Sequence, residues 1–354
     1  AAVDIVSLVQ PGVMGRSLEE LGYRIDSLGM TRGVPSLGAL VTLRRRIAER
    51  RPRAVIGWMH HAFLAATMAR AGLRDAPALI WNVRHSIADI RHETPQTRAI
   101  LRVCASLSTA PAAIIYNSQV AQRQYAALGF DDARAVVIPN GFDTTRFKPS
   151  PEARGRLASI FGIEGPDPVI AMVARFHPMK SQETLLAAFR MALDRGARAR
   201  LLLVGDGADA PPASIAEIIA TLPPKTVFLS GHRTDPESWL PGVDIFALSS
   251  RWGEAFPNVL GEAMSSGVPC VTTDVGDSAL IVAETGAVVP PGDASALAEA
   301  LLKLVRMSDN DRRSMGEAAR RRVLDNYALA AVQARYDDLV DDVCESRVAA
   351  GGTR

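Results

Sequence analysis

The chain has little from which to build a disulfide framework or a zinc site. Cys104, Cys270 and Cys344 are its only cysteines, and they fall at no metal-ligand spacing. They read as small buried hydrophobes, which suits a reducing compartment. Aromatic residues make up only 5% of the sequence; none interleave with basic runs and no nucleic-acid motif occurs, so no nucleic-acid partner is expected. No stretch approaches the roughly 20 uninterrupted apolar residues of a spanning helix. The opening AAVDIVSLVQPG lacks the basic start, apolar middle and small-residue cleavage site of a leader. These absences point to a soluble, cytoplasmic protein.

What is present is ordinary globular material: 354 residues, 48% hydrophobic and 22% charged. That length exceeds what one core usually organises and favours two domains. The net charge of +2 hides an asymmetry, with 19 Lys/Arg against 11 Asp/Glu in residues 1–150 and 21 against 27 in the remainder. Much of the excess lies in RRRIAERRPR, Arg44 to Arg53. The run reads as a solvated helix face or as an attractor for an anionic membrane surface or a phosphorylated acceptor.

Short apolar runs alternate with helical periodicity throughout. VDIVSLV, AVIGW, ALIWNV, AAIIYN and AVVIPN occupy the first half, and PVIAMVA, RLLLVG, TVFLSG, VDIFALS and PCVTTD the second. A βα alternation predicts parallel sheets covered by helices, with ligands at the carboxyl ends of the strands. Pro139, Gly141, Pro149 and Pro151 interrupt the pattern and mark a hinge. The domains are therefore set at 1–147 and 148–325, followed by a helix over 326–347 and a frayed GGTR tail.

The densest chemistry lies in RWGEAFPNVLGEAMSSGVPCVTTDVGD, Arg251 to Asp277. Pro257 and Asn258 suit a helix start, and Gly267 with Pro269 a stop. Glu254 then precedes the helix and Glu262 lies a turn inside it. A helix N-terminus can seat a diphosphate while carboxylates accept bonds from sugar hydroxyls. In VARFHPMKSQETLLAAF, Arg175 and Lys180 follow a strand and form a cationic pair able to hold phosphates. Ser181 is placed to cap the next helix. Gly205 and Gly207 of RLLLVGDGAD sit directly after a strand, where a base or ribose could approach the backbone. Each feature alone is compatible with ordinary surface structure.

In this order, the elements resemble the donor half of the family 4 glycosyltransferases, which have the GT-B fold: two Rossmann-like domains with parallel sheets facing across a cleft. The resemblance rests on Arg175-x4-Lys180, GDG, TVFLSGHR, the Glu-x7-Glu pair in EAFPNVLGEAM, and GVPCVTTDVGD. It implies that Arg175 and Lys180 bind the donor diphosphate, that Glu254 holds the transferred sugar, and that Glu262 binds the ribose. Main-chain groups around Phe256, Pro257 and Asn258 would contact the sugar, and Gly231, His232 and Arg233 would lie beside the base. The implied reaction is retaining transfer from a nucleotide-diphosphate sugar to a glycan or lipid-linked glycan acceptor. It needs no metal or other cofactor, and no Asp-x-Asp pair is well placed to hold a metal-bound diphosphate.

In the first half, His85 directly follows the strand ALIWNV, where the family carries a histidine that approaches donor sugar or acceptor. His60 and His61 stay ambiguous between packing and substrate contact, while Asn117 and Ser118 read as caps of the helix SQVAQRQY. The spacing of VDIVSLV to SLGM and WMHHA matches the family after its opening unit, so the N-terminal domain is expected to lack its first strand and helix. A rival alignment makes VDIVSL that first strand and Gly12 to Gly15 its loop. Two other function classes stay open on sequence alone: a non-catalytic sugar-nucleotide or glycan-binding module, and another GT-B enzyme such as a sugar-nucleotide epimerase or a phosphorylase.

Overall fold

The computed structural model describes residues 3–31 and 36–351. Gly351 ends the last helix, and the rest of the tail expected to fray, residues 352–354, lies outside the described residues. The chain divides into two compact units, Ala1–Tyr116 with Gln122–Val137 and Asp337–Arg354, and Asn117–Ala121 with Ile138–Tyr336.

The first unit is built from β1 (Ile5–Ser7), α1 (Val13–Glu20), β2 (Ile25–Ser27), α2 (Leu37–Arg50), β3 (Ala54–Trp58), α3 (Met59–Arg70), β4 (Ala78–Val83), α4 (Pro95–Ser106), β5 (Ala113–Tyr116), α5 (Gln119–Ala127) and β6 (Ala135–Val137). The first three residues of α5 group with the second unit. Strands β3 to β6 form a parallel sheet in sequence order, while β1 and β2 pair in parallel as a separate sheet. One apolar layer joins the two sheets: Val6, Leu28 and Val55 pack with Leu43 and Ile47 of α2 and Ala69 of α3. The N-terminal sheet is thus divided, not continuous. Gly12 to Gly15 is not a free loop, because Val13, Met14 and Gly15 form the first turn of α1. β4 is buried along its whole length, which is why ALIWNV is apolar almost throughout.

Part of the basic run is paired within the fold. Arg44 donates to the carbonyls of Ala69 and Ala71. Arg46 and Arg50 converge on Asp26, and Arg50 also reaches Asp4. Arg45 pairs with Glu49 and Arg53 with Asp341. The run therefore contributes less outward charge than its composition implies.

The second unit contains α6 (Ala153–Phe161), β7 (Val169–Val173), α7 (Gln182–Asp194), β8 (Arg200–Val204), α8 (Ala213–Ala220), β9 (Val227–Ser230), α9 (Pro236–Trp239), β10 (Ile245–Leu248), α10 (Asn258–Ser265), β11 (Cys270–Thr273), α11 (Ser278–Val282), β12 (Ala287–Val289), α12 (Ala294–Arg306) and α13 (Asp309–Tyr327). The last helix, α14 (Leu329–Gly351), begins here and continues into the first unit from Asp337. The six strands are parallel in the order β12-β11-β10-β7-β8-β9. The order reverses beside β7, which places the carboxyl ends of β7 and β10 at the topological switch point.

The expected helix from Asn326 is in fact two helices broken at Ala328. The break has a tertiary cause: Phe142 N donates to Tyr327 O and Leu329 N to Phe142 O, a one-residue strand pairing across Ala328. Cys104, Cys270 and Cys344 are all buried and free, as small core residues. Burial pushes the Cys104 thiol up to about 12. Among the described residues no helix is long and apolar enough to cross a membrane.

Candidate active site

The second unit gathers its polar groups where β7 and β10 end. After β7, Gln182 Nε2 donates to Arg175 O at 2.9 Å and Phe176 N to Asp206 O at 2.7 Å, so the Arg175 backbone is held from both sides. The Arg175 side chain is exposed. The glycines of GDG explain themselves here. Gly205 has φ +145, and a Cβ on it would collide with Ala174 O; at Gly207 a Cβ would lie 3.2 Å from Phe176 Cβ. They let the β8 loop pack against the Arg175 segment.

Lys180 is placed by β10. Ser249 Oγ lies 2.9 Å from Lys180 O and 3.0 Å from Ser181 O, and Arg251 N donates to Met179 O at 2.8 Å. Ser181 occupies the N-cap position of α7 with a left-handed φ of 51°, but its hydroxyl meets Thr184 Oγ1 at 2.7 Å and no backbone N–H. Lys180 Nζ donates to Glu254 Oε1, and Ser250 Oγ donates to the same oxygen at 2.5 Å. Glu254 is only 7% exposed, so this carboxylate is stabilised almost wholly by protein donors. Thr273 Oγ1 in turn donates to Ser250 O at 2.6 Å. Gly276, with φ +62, passes so close to Glu254 O and Ala255 O that a Cβ there would overlap them, and Asp277 N donates to Ala255 O at 2.9 Å. The Glu254 loop is therefore braced from β10 and β11 together.

Helix α10 starts at Asn258 with Pro257 as its N-cap and no side-chain cap, as the sequence predicts. Its first N–H groups are the positive end of the helix dipole. Asn140 Nδ2 donates to Phe256 O at 3.3 Å and to Asn258 Oδ1 at 2.5 Å. The Phe256 ring is core, stacked on Phe142 and set edge-on to Tyr327, so only its main chain faces the site. Glu262 lies one turn inside α10. Burial raises its carboxyl above the usual range, Arg146 opposes the rise, and Glu237 adds to it.

The base-side residues are more occupied than expected. Arg233 pairs with Asp235 through Nε and Nη2, both at 2.9 Å, and its guanidinium lies 5.7 Å from the Phe161 ring centre. At Gly231 a Cβ would stand 3.1 Å from the Asp209 carboxylate. Ser118 caps α5 through Ala121 N at 3.1 Å, as expected, and Asp277 joins it by accepting from Ser118 Oγ, Gln119 N and Val120 N. Asn117 bonds Asn140 instead of capping.

His85 belongs to the first unit, in surroundings of its own. Its Nε2 lies 3.0 Å from Glu93 Oε1. Ser86 Oγ and Ile87 N both donate to Gln124 Oε1 at 2.8 Å and hold the following backbone. His60 is buried, 2.5 Å from Tyr125 Oη through Nε2, and burial lowers its imidazole to about 4. The packing alternative for His60 is the one the structure supports.

Sequence reasoning missed Ser250, Ser249, Gln182, Asn140 and Glu93. Only Ser250, a hydroxyl four residues before Glu254 at a strand end, carried a local signal. Among the described residues no group of three or more His, Cys, Asp and Glu side chains is arranged to hold a metal ion.

The chain is similar to known glycosyltransferases. Residues 3–146 match the sequence family described as Glycosyltransferase Family 4, and residues 167–307 match Glycosyl transferases group 1. The GDP-mannose-dependent alpha-(1-6)-phosphatidylinositol monomannoside mannosyltransferase of Mycobacterium tuberculosis is 27% identical over 334 residues, 90% of this chain and 83% of that protein. The UDP-Gal:alpha-D-GlcNAc-diphosphoundecaprenol alpha-1,3-galactosyltransferase of Escherichia coli is 25% identical over 60% of this chain and 55% of its own. Among solved structures, Anabaena HepE in complex with UDP and glucose superposes with a TM-score of 0.82 at 21% identity, covering 96% of this chain and 91% of that one. With the ordered Arg175, Lys180, Glu254 and Glu262 series placed around the ends of β7 and β10, the chain is a glycosyltransferase that belongs to family 4 and has the GT-B fold.

Proposed function

We propose that this enzyme transfers a sugar, with retention of anomeric configuration and without a bound metal, from a nucleoside-diphosphate sugar to a lipid-linked glycan. The observation that carries the reading is the Lys180 and Glu254 contact beside the uncapped start of α10, with the exposed Arg175 on the neighbouring strand end. Arg175 and Lys180 neutralise the diphosphate as the bond from the anomeric carbon to its oxygen breaks. The acceptor hydroxyl oxygen forms the new bond on the same face, and its proton passes to the departing phosphate. Glu254 positions the sugar through its hydroxyls, Glu262 the ribose, and the Gly231 to Arg233 main chain the base. His85 meets a hydroxyl of the donor sugar or of the acceptor.

A lipid-linked acceptor accords with the names of the mycobacterial and E. coli relatives. A cytoplasmic enzyme working at the inner face of the membrane fits such an acceptor. Leu37 and Val41, 77% and 59% exposed, lie on the outer side of α2 and supply an apolar contact for a bilayer. Sedimentation with anionic and neutral vesicles tests this contact; equal partitioning of wild type and Leu37→Asp/Val41→Asp would refute it.

The experiment for the reaction is transfer from a panel of nucleotide sugars to a lipid extract, with the anomeric configuration of the product read by NMR. Retention is expected. Inversion, or transfer that requires a divalent ion, would contradict the assignment.

A further inference from the structure

We infer that Glu93 is a positioning residue for His85, fixing the imidazole tautomer so that Nδ1 presents a lone pair to a substrate hydroxyl. The inference rests on the assignment of His85 to a sugar hydroxyl made above.

The geometry begins at the end of β4. His85 is the second residue after the strand, and Gln124 clamps the residues that follow it, so the backbone can deliver the imidazole to one place. Backbone clamping leaves the ring free to flip and its proton free to move between the nitrogens. Glu93 removes that freedom. It closes a short 3-10 turn, Ile90–His92, through Glu93 N to Ile90 O at 3.1 Å, and its Oε1 stands 3.0 Å from His85 Nε2. A carboxylate only accepts, so Nε2 must carry the proton and donate it. Nδ1 is then unprotonated in the neutral ring, and among the described residues it has no hydrogen-bond partner.

His60 also faces the ring, its centroid 6.4 Å away. Burial keeps His60 neutral, and its Nε2 is engaged by Tyr125. His60 therefore forms an uncharged wall, and Glu93 is the one ionised partner bonded to the ring among the described residues. The half-exposed His85 imidazole retains an open side toward solvent. A lone pair held in one direction at a strand end can accept a hydrogen bond from a sugar hydroxyl and thereby orient that oxygen.

A double-mutant cycle on the full chain, with kcat and both KM values measured alongside 15N NMR of the His85 ring, tests the inference. Glu93→Ala should lower kcat about tenfold with donor KM unchanged, and Glu93→Gln, whose amide oxygen can still accept from Nε2–H, should lose less. His85→Ala/Glu93→Ala should be no slower than His85→Ala alone. The ring nitrogens should report the Nε2–H tautomer in the wild type and a mixture in Glu93→Ala. Additive losses, or an unchanged tautomer in Glu93→Ala, would overturn the role of Glu93 while leaving His85 in place. Wild-type turnover in His85→Ala would instead overturn the reading of His85, and the inference with it.

Discussion

Lys180 donates its ammonium hydrogen bond to the same Glu254 oxygen that Ser250 holds, so the cation assigned to the diphosphate and the carboxylate assigned to the sugar are paired with each other. On the proposed assignment, donor binding exchanges this contact for one from Lys180 to phosphate and one from the sugar to Glu254.

Removing one member of the pair should cost more than binding. Lys180→Ala leaves a buried carboxylate with Ser250 as its remaining donor, which is expected to destabilise the free protein by about 3 kcal/mol as well as weaken diphosphate binding. Glu254→Gln keeps an acceptor for both donors and should melt close to wild type while abolishing transfer. Thermal unfolding of the two variants beside wild type checks the asymmetry; two variants that both melt with wild type would show that the pair carries no stability.

Ser250→Ala removes a buried hydroxyl that holds Glu254 and touches no assigned substrate group. A hydrogen bond to a charged acceptor is worth about 2 kcal/mol, so kcat is expected to fall by one to two orders of magnitude. Donor KM should change little. The measurement is steady-state kinetics, and a rise in KM at constant kcat would place Ser250 in binding instead.

Glu262 is held at a cost. Burial raises its carboxyl, so the group favours folding while protonated and that contribution is lost as pH rises through its folded value. Glu262→Gln should therefore stabilise the free enzyme at neutral pH and weaken nucleoside binding. Denaturant unfolding at pH 7 beside calorimetric titration would reveal a variant that is less stable or binds equally well, either of which counts against the assignment.

His60 gives the first unit an acid-sensitive core. The unfolded chain protonates this residue near 6.5, while the buried imidazole resists until about 4. The folded value is depressed, so its stability is intact above 6.5 and is lost progressively as pH falls toward 4, reaching about 3 kcal/mol. His60→Gln should flatten the stability profile across that window. An unchanged slope would mean another group is responsible.

How far the site could be read in advance depended on whether its cause was local. The start of α10 was legible because Pro257 supplies no N–H and Gly267, at φ +78, ends the helix in a conformation other residues resist. The parallel strands were legible because sheets covered on both faces need continuous apolar runs. Ala328 was not, since alanine is the best helix former and the break comes from Phe142, 186 positions away in sequence. Glu93 and Gln182 were hidden for the same reason: each acts through a side chain reaching an element that no periodicity links to it. The partners of the arginine run were not legible either, because composition counts charges without their partners, and Asp26, Asp4 and Glu49 pair with three of its six arginines.

The donor site is tested most directly by calorimetric titration of the intact chain with UDP, GDP and their sugar conjugates, beside a folded Arg175→Ala/Lys180→Ala variant. Saturable binding of at least one nucleoside diphosphate to the wild type is expected, weakened at least about tenfold in the variant, in line with loss of charge-assisted bonds. Failure of the wild type to bind any of them, or equal binding by the variant, would contradict the placement of the diphosphate on Arg175 and Lys180.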